Sequence, residues 1–112
     1  KWLLLSDVDL YIPQLTYVFG EAEVGGIITI ISACRLRKNL DGTLASDEVF
    51  TTRLVKLAVH EIGHTFGLRH SEYTQSVMHF SRNVDGLDAH AQDLTAAERA
   101  AIRGHIPDTC LA

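Results

Sequence analysis

Residues 60–70 read HEIGHTFGLRH. Residues four apart share one face of a helix, so His60 and His64 can present their imidazoles to one metal ion. Gly67 lets the chain leave the helix in a left-handed conformation, and His70, three residues later, can return as a third nitrogen ligand. Three protein ligands leave one coordination position open, which is typical of catalytic rather than structural zinc sites. The stretch therefore predicts a metal site with His60, His64 and His70 as ligands.

Glu61 follows the first of these histidines, where its carboxylate can reach a metal-activated water without binding the metal. We therefore predict a hydrolase of peptide bonds in which Glu61 is the general base and then passes the proton to the leaving amine. Neutral imidazoles favour Zn²⁺, although Co²⁺, Ni²⁺ or Cu²⁺ can occupy such a site in vitro. The predicted cofactor is one catalytic Zn²⁺ per chain.

The motif closes an amphipathic pattern that predicts a helix from about Asp47 to Phe66. Ser46 is a good N-cap, and Asp47 and Glu48 place negative charge in the first turn, where the helix dipole favours it. Gly67 is placed to end the helix. The apolar residues at helical spacing are Val49, Phe50, Leu54, Leu57, Ala58, Ile62 and Phe66.

The sequence before this helix indicates β structure, and the sequence after it indicates mostly loops. The first of three candidate strands is an apolar run at residues 2–5 that continues in near-alternation at 7–12. The second is 15–19 and the third is 27–31, which is dense in β-branched residues. Residues 68–93 have no sustained period and are interpreted as loops. Thr95 and Glu98 form a capping box that opens a last helix, which runs to about His105 and is ended by Pro107. This order predicts an α+β architecture in one domain, residues 1–112.

Composition excludes several classes of function. The 112 residues carry a net charge of −4 and are 46% hydrophobic, which suits one globular domain. The one basic cluster, Arg35, Arg37 and Lys38, is too small for nucleic-acid binding, and no apolar run approaches the ~18 residues of a membrane helix. Two distant cysteines, Cys34 and Cys110, are interpreted as free thiols of a cytoplasmic protein.

Two alternative interpretations of the histidine motif have to be weighed. Histidines can lie on a helix for packing alone, but a third His at this spacing after Gly67 makes coincidence improbable. In a second class of zinc peptidases, the gluzincins, the third ligand is a Glu on a later helix, and Glu98 is the candidate here. His70 makes that ligand unnecessary, and the capping box explains Glu98 better.

The motif resembles the metzincin signature, and Met78 strengthens the resemblance. Metzincins carry a Met-turn, whose Met packs beneath the metal ligands, and Met78 follows His70 by eight residues. Matrixins, one metzincin family, have a Ser after the third His, as Ser71 stands here. The resemblance to archaemetzincins covers more of the chain, most of residues 5–80. Its segments are DVDLYIP at 7–13, VFGEA at 18–22, IS at 31–32, Arg35-Leu36, Arg53, Lys56 and TFGL at 65–68.

This resemblance implies a metzincin-type zincin fold. A mixed, twisted sheet would lie over the active-site helix in residues 1–67, and a small C-terminal subdomain with one helix would occupy residues 68–112. An edge strand around Thr16 to Glu23 would align the substrate by strand addition. In astacins a Tyr two residues after the Met can ligate zinc. Phe80 stands there and cannot, and Tyr73 is interpreted as an ordinary loop aromatic.

The sequence departs from archaemetzincins at four cysteines that bind a second, structural zinc in that family. Ser71, Ser76, Ala96 and Arg99 stand at those positions. We therefore expect no structural zinc, and expect hydrophobic packing of the last helix to stabilise this part instead. A replacement zinc site could be imagined from four other residues, but their spacing fits no known zinc pattern. These residues are His79, His90, His105 and Cys110. The histidines among them are interpreted as isolated surface residues.

The predicted partner is a peptide or protein substrate, such as a short peptide or a flexible segment. Aminopeptidase activity is implied only by the resemblance. The alternative from another class is a non-hydrolytic or very weakly active zinc- or peptide-binding module, against which the intact Glu61 argues. The chain begins at Lys1 without an initiator Met, so a fragment or a processed product is expected. A three-stranded sheet would be thin, and further chain or another molecule is expected to complete it.

Overall fold

The computed structural model describes residues 1–105 and has the predicted α+β architecture. Pro107 and Cys110 lie outside the described residues. None of the helices in the described part is long and apolar enough to cross a bilayer. The elements are β1 Trp2–Ser6, β2 Leu10–Ile12, β3 Leu15–Val18, β4 Gly20–Ala22, β5 Ile28–Ser32, α1 Asp47–Thr65, α2 Val84–Ala89 and α3 Ala96–Arg103.

The strands form a mixed sheet and a separate hairpin. The sheet has the order β1-β5-β4, in which β1 runs parallel to β5 and β4 runs antiparallel to it. Strands β2 and β3 pair with each other as an antiparallel hairpin. The predicted segment 15–19 thus belongs to the hairpin, and the chain turns directly from it into β4 at the sheet edge.

One face of the sheet packs on α1. Thr29 and Ile31 of β5 are buried on this face, as the alternation of side chains along a strand requires. Ile31 joins the larger core cluster with residues of α1 and α2, including Leu57 and Leu87. On β1 and β5, by contrast, Trp2 is 68% exposed and Ile28 52%.

Helix α1 begins where the sequence predicts and ends within one residue of the prediction. The Ser46 hydroxyl accepts a hydrogen bond from the backbone N–H of Val49 at 3.2 Å. After the C-cap Phe66, Gly67 has φ +92°, a conformation that a side chain disfavours. These two caps fix the length of the helix and the direction of the chain that carries His70.

The interpretation of residues 68–93 as loops throughout was wrong at α2, so residues 68–105 contain two helices where one was expected. Six residues are too few to show a helical period. The helix is held by two buried cations of α1. Arg53 donates to both carboxylate oxygens of Asp88 at 2.9 and 2.8 Å, and Lys56 donates to the carbonyls of Leu87 at 2.8 Å and His90 at 2.7 Å.

Helix α3 has the predicted capping box, with the Thr95 hydroxyl and the Glu98 carboxylate each accepting from the other's backbone N–H. The expected hydrophobic attachment is only partial, because no residue of α3 is buried and Ile102 contributes one half-buried side chain. The same Glu98 carboxylate accepts from the fully buried hydroxyl of Ser76 at 2.7 and 2.9 Å. A charge-assisted hydrogen bond therefore joins α3 to the segment before Met78.

Replacing Ser76 with Ala should lower the free energy of unfolding by about 2 kcal/mol, because a hydrogen bond to a carboxylate is lost in a buried place. The Ser76 hydroxyl also accepts from the backbone N–H of Met78 at 3.0 Å, which would lose its partner. Urea denaturation measures the change. Ser71→Ala is the matched control, since that half-buried hydroxyl only accepts from the Tyr73 N–H, and it should cost less than about 1 kcal/mol. Equal effects of the two substitutions would contradict the role given to Ser76.

Candidate metal centre

The structure brings His60, His64 and His70 together. One ring nitrogen from each lies within 4.8 Å of the other two. His60 and His64 come from the last turns of α1, and His70 returns to them from the loop that Gly67 opens. Within residues 1–105 these three form the one group of at least three potential metal-ligating side chains.

Backbone carbonyls fix the orientation of the two helical imidazoles. Nδ1 of His60 lies 2.8 Å from the carbonyl oxygen of Val77, and Nδ1 of His64 lies 2.7 Å from that of Leu68. A carbonyl can only accept, so both Nδ1 atoms carry the proton and both Nε2 atoms present lone pairs. This is the arrangement by which proteins orient metal-binding histidines.

The donor set fits a zinc ion. The Nε2 atoms of His60 and His64 face each other at 3.2 Å, and neither carries a proton to share. Two lone pairs so placed repel each other unless a cation lies between them. Zn–N bonds of about 2.0–2.1 Å in a tetrahedral site place two nitrogens about 3.3 Å apart, close to the observed separation.

Met78 packs against α1 at Gly63, the residue before His64. Its side chain is fully buried, and its sulfur is 2.6 Å from where a Cβ on Gly63 would stand. The backbone around it forms a tight turn, in which the N–H of His79 donates to the carbonyl of Ser76 at 3.1 Å. Only a glycine at position 63 lets the helix approach the methionine this closely.

Glu61 is buried beside the three histidines, against β4. A Cβ added to Gly20 would stand 2.8 Å from Cγ of Glu61, so the strand passes in direct contact with this side chain. Burial, together with the nearby Glu21 carboxylate, raises the pKa of Glu61 to about 8. Burial lowers the pKa of His60 to about 4, an effect to which His64 adds.

The histidines and Glu61 border a cleft of about 790 Å³. Residues 17–22, which include β4 at the edge of the sheet, form one wall. This is the part of the chain in which the resemblance placed a substrate-aligning strand. The opposite wall comes from the segment after Met78, His79 to Arg82, and from α2 and His90.

Several side chains lie elsewhere than the sequence indicated. The interpretation of His79 and His90 as isolated surface residues was wrong, because both line the cleft, their ring centroids are 6.2 Å apart and His90 is buried. No local pattern marks them, since the α2 segment that places His90 was not recognised. His105 is exposed. Glu98 binds Ser76 and Thr95 and is not part of the histidine group.

The two aromatic residues near the motif differ in position. Tyr73 is 70% exposed and does not line the cleft, in agreement with its interpretation as a loop residue. The Phe80 ring centroid lies 5.1 Å from that of His70 and forms part of the cleft wall. Phe80 therefore lies beside His70 without offering a polar group.

Comparisons with known proteins agree on one family. Residues 1–98 match the model of peptidase family M54. The archaemetzincin of Haloquadratum walsbyi is 45% identical over 89 residues, covering 77% of this chain and 51% of the relative. The archaemetzincin of Methanocaldococcus jannaschii is 42% identical over 84 residues, covering 75% and 47%.

Solved structures show the same similarity. A zinc-dependent peptidase from Methanocorpusculum labreanum superposes with a TM-score of 0.81 at 36% identity, covering 89% of this chain and 52% of the other. Archaemetzincin from Archaeoglobus fulgidus, complexed with malonate, gives 0.78 at 36% identity, covering 88% and 58%. The chain thus spans about half the length of the relatives it matches.

Replacing Gly63 with Ala should destabilise the protein by about 1–3 kcal/mol, since the new Cβ would push against the buried Met78 sulfur. Helix propensity alone predicts the opposite, a gain of up to about 1 kcal/mol. Gly86→Ala in α2 is the matched control, because the new Cβ would meet only ordinary van der Waals contacts. This substitution should therefore stabilise the protein. Urea denaturation of both variants decides the sign. A stabilising Gly63→Ala would show that the close contact is not a constraint.

Proposed function

The chain belongs to peptidase family M54, and on this premise we propose that it is a zinc metallopeptidase that hydrolyses peptide bonds. One observation carries the proposal: three histidine nitrogens lie within 4.8 Å of one another, beside a buried glutamate, in an open cleft. A site that only held a metal structurally would be closed by a fourth protein ligand. The partner we propose is accordingly a peptide or a flexible protein segment.

His60, His64 and His70 are the proposed ligands of a single zinc ion, with Met78 packed beneath them as the Met-turn. When bound, the ion would polarise a carbonyl and lower the pKa of a water. The carbonyls of Val77 and Leu68 orient two of the imidazoles, so that their Nε2 atoms are turned toward the proposed metal position.

Glu61 is the proposed general base. Helix α1 places Glu61 one residue after His60, and β4 contacts the Glu61 side chain at Cγ. The carboxylate is therefore confined to the cleft beside the histidines. There it can accept a proton from the attacking water and return it to the leaving amine. Its confinement reduces the orientational freedom that would otherwise have to be lost in each turnover.

Strand β4 is the proposed site of substrate alignment. It is an edge strand, paired only with β5 among the described strands, and it borders the cleft next to Glu61. An extended peptide can add to such an edge through backbone hydrogen bonds, which suits varied sequences. We also propose a cytoplasmic location, because an exposed thiol such as that of Cys34 persists best in a reducing compartment.

Purified protein should contain one zinc ion per chain, and His60→Ala should lose it, because two remaining imidazoles hold zinc weakly. Elemental analysis after exhaustive dialysis measures the content. His79→Ala should keep its zinc, since His79 lies in the cleft but outside the three-histidine group. Two ions per chain would show that a second site exists, and zinc retained by His60→Ala would overturn the ligand assignment.

Glu61→Gln should keep one zinc ion per chain and lose peptide hydrolysis by a factor of about 10² to 10⁴, since it removes the base without changing the ligands. Cleavage of a mixed peptide library, followed by mass spectrometry, gives the rates. Glu72→Gln, an exposed carboxylate beside the motif, is the control and should be as active as the unmodified protein. If zinc-loaded protein and both variants cleave nothing, the chain is a zinc- or peptide-binding module instead.

A further inference from the structure

Part of the cleft lining is apolar, and we call this part the recess. Phe19, Leu57 and Leu87 line it, and all three belong to the main hydrophobic core. Leu57 precedes His60 by three residues on α1, so the recess begins about one helical turn from the three histidines. His90, three residues after Leu87, lines the same cleft and is only 4% exposed.

The His90 ring is held in one orientation and one tautomer. Its Nδ1 lies 2.8 Å from the carbonyl oxygen of Ala91, so Nδ1 carries the proton and Nε2 presents a lone pair. The His90 backbone is fixed as well, since its carbonyl accepts from Lys56 at 2.7 Å. Two backbone anchors on one residue leave the imidazole little freedom to turn.

Nε2 of His90 has no hydrogen-bond partner among the residues that the structure describes. It is not sealed off either, because Ser81 Oγ is the one fully buried side-chain polar atom without a partner in that part of the chain. The accessible part of a residue so nearly buried must therefore open on the cleft that it lines. An apolar side chain bound here would cover this acceptor and leave it without a partner, which is costly, whereas a bound donor avoids that cost.

We infer that His90 is a specificity-determining residue, whose Nε2 accepts a hydrogen bond from a neutral donor at the tip of a substrate side chain. The inference rests on the proposed peptidase function and names the side chains the recess would select. Their stem is apolar and their tip is a hydroxyl or carboxamide, as in tyrosine or glutamine. A cationic tip is disfavoured by the nearby Lys56 ammonium, which donates to the backbone carbonyl of His90, and a carboxylate tip would meet only a lone pair.

The test measures binding separately from cleavage. Two pairs of peptides are compared, and the members of each pair differ at a single residue: Tyr against Phe in one pair and Gln against Met in the other. Further peptides place this residue at each position on either side of a central peptide bond. Binding is measured to zinc-loaded Glu61→Gln protein, which should not cleave them. At one position the Tyr and Gln peptides should bind about tenfold more tightly than their partners, the effect of one hydrogen bond that satisfies a nearly buried acceptor.

Substitutions assign the preference to the residue. In the Glu61→Gln background, His90→Leu should abolish the preference, and His90→Gln, which retains an acceptor oxygen, should restore most of it. His79→Leu is the control within the same cleft and should leave the preference intact. A preference that persists in His90→Leu, or that disappears with His79→Leu instead, would overturn the inference.

A spectroscopic readout on the unsubstituted His90 covers the case in which its variants fold poorly. The ¹⁵N chemical shift of His90 Nε2 should move on addition of the Tyr peptide and stay unchanged with the Phe peptide. Equal shifts with both peptides would contradict the hydrogen bond. If peptides bind with the expected preference but the unmodified protein cleaves none of them, the peptidase function is refuted and the role of His90 stands. If the protein cleaves peptides but shows no preference, the role of His90 is refuted and the peptidase function stands.

Discussion

The imidazoles of His60 and His64 can share one cation only while their Nε2 atoms face each other, and two carbonyl hydrogen bonds impose that orientation. The carbonyl of Leu68 belongs to the chain that leaves α1, and the carbonyl of Val77 belongs to the turn that carries Met78. Helix α1, the chain that leaves it and the turn that carries Met78 must therefore all be folded before the Nε2 atoms of His60 and His64 can face each other. The candidate metal site is thus formed where these segments meet, with Met78 packed on the helix at Gly63, and it depends on the fold rather than on the motif alone.

The features that the sequence predicted are those whose partners lie within a few residues. The N-cap at Ser46, the exit at Gly67 and the capping box of Thr95 and Glu98 are all local interactions, so a pattern of residue types is enough to locate them. The 3.6-residue period of α1 is likewise local and spans five turns. A mixed sheet over this helix followed from the resemblance, and the parallel pairing of β1 with β5 agrees with it.

The features that were missed depend on contacts between distant residues. Helix α2 is held by Arg53 and Lys56, which are buried although charged, and an apolar period cannot show that such residues face inward. Asp88, the partner of Arg53, is 35 residues away. Without α2 there was no reason to place His90 in the cleft. The same holds for Ser76, whose attachment to α3 across 22 residues is a hydrogen bond where hydrophobic packing was expected.

Burial shifts the pKa values of His60 and Glu61 in opposite directions, because it disfavours the charged form of each side chain. It lowers the pKa of His60 to about 4, which leaves a neutral imidazole free to bind metal at neutral pH. It raises the pKa of Glu61 to about 8, which by itself would leave a protonated carboxyl unable to accept a proton. Three neutral imidazoles do not offset the charge of a dication, so a bound ion favours the ionised carboxylate beside it. The same burial that keeps His60 neutral would thus make Glu61, as the proposed base, dependent on a bound metal.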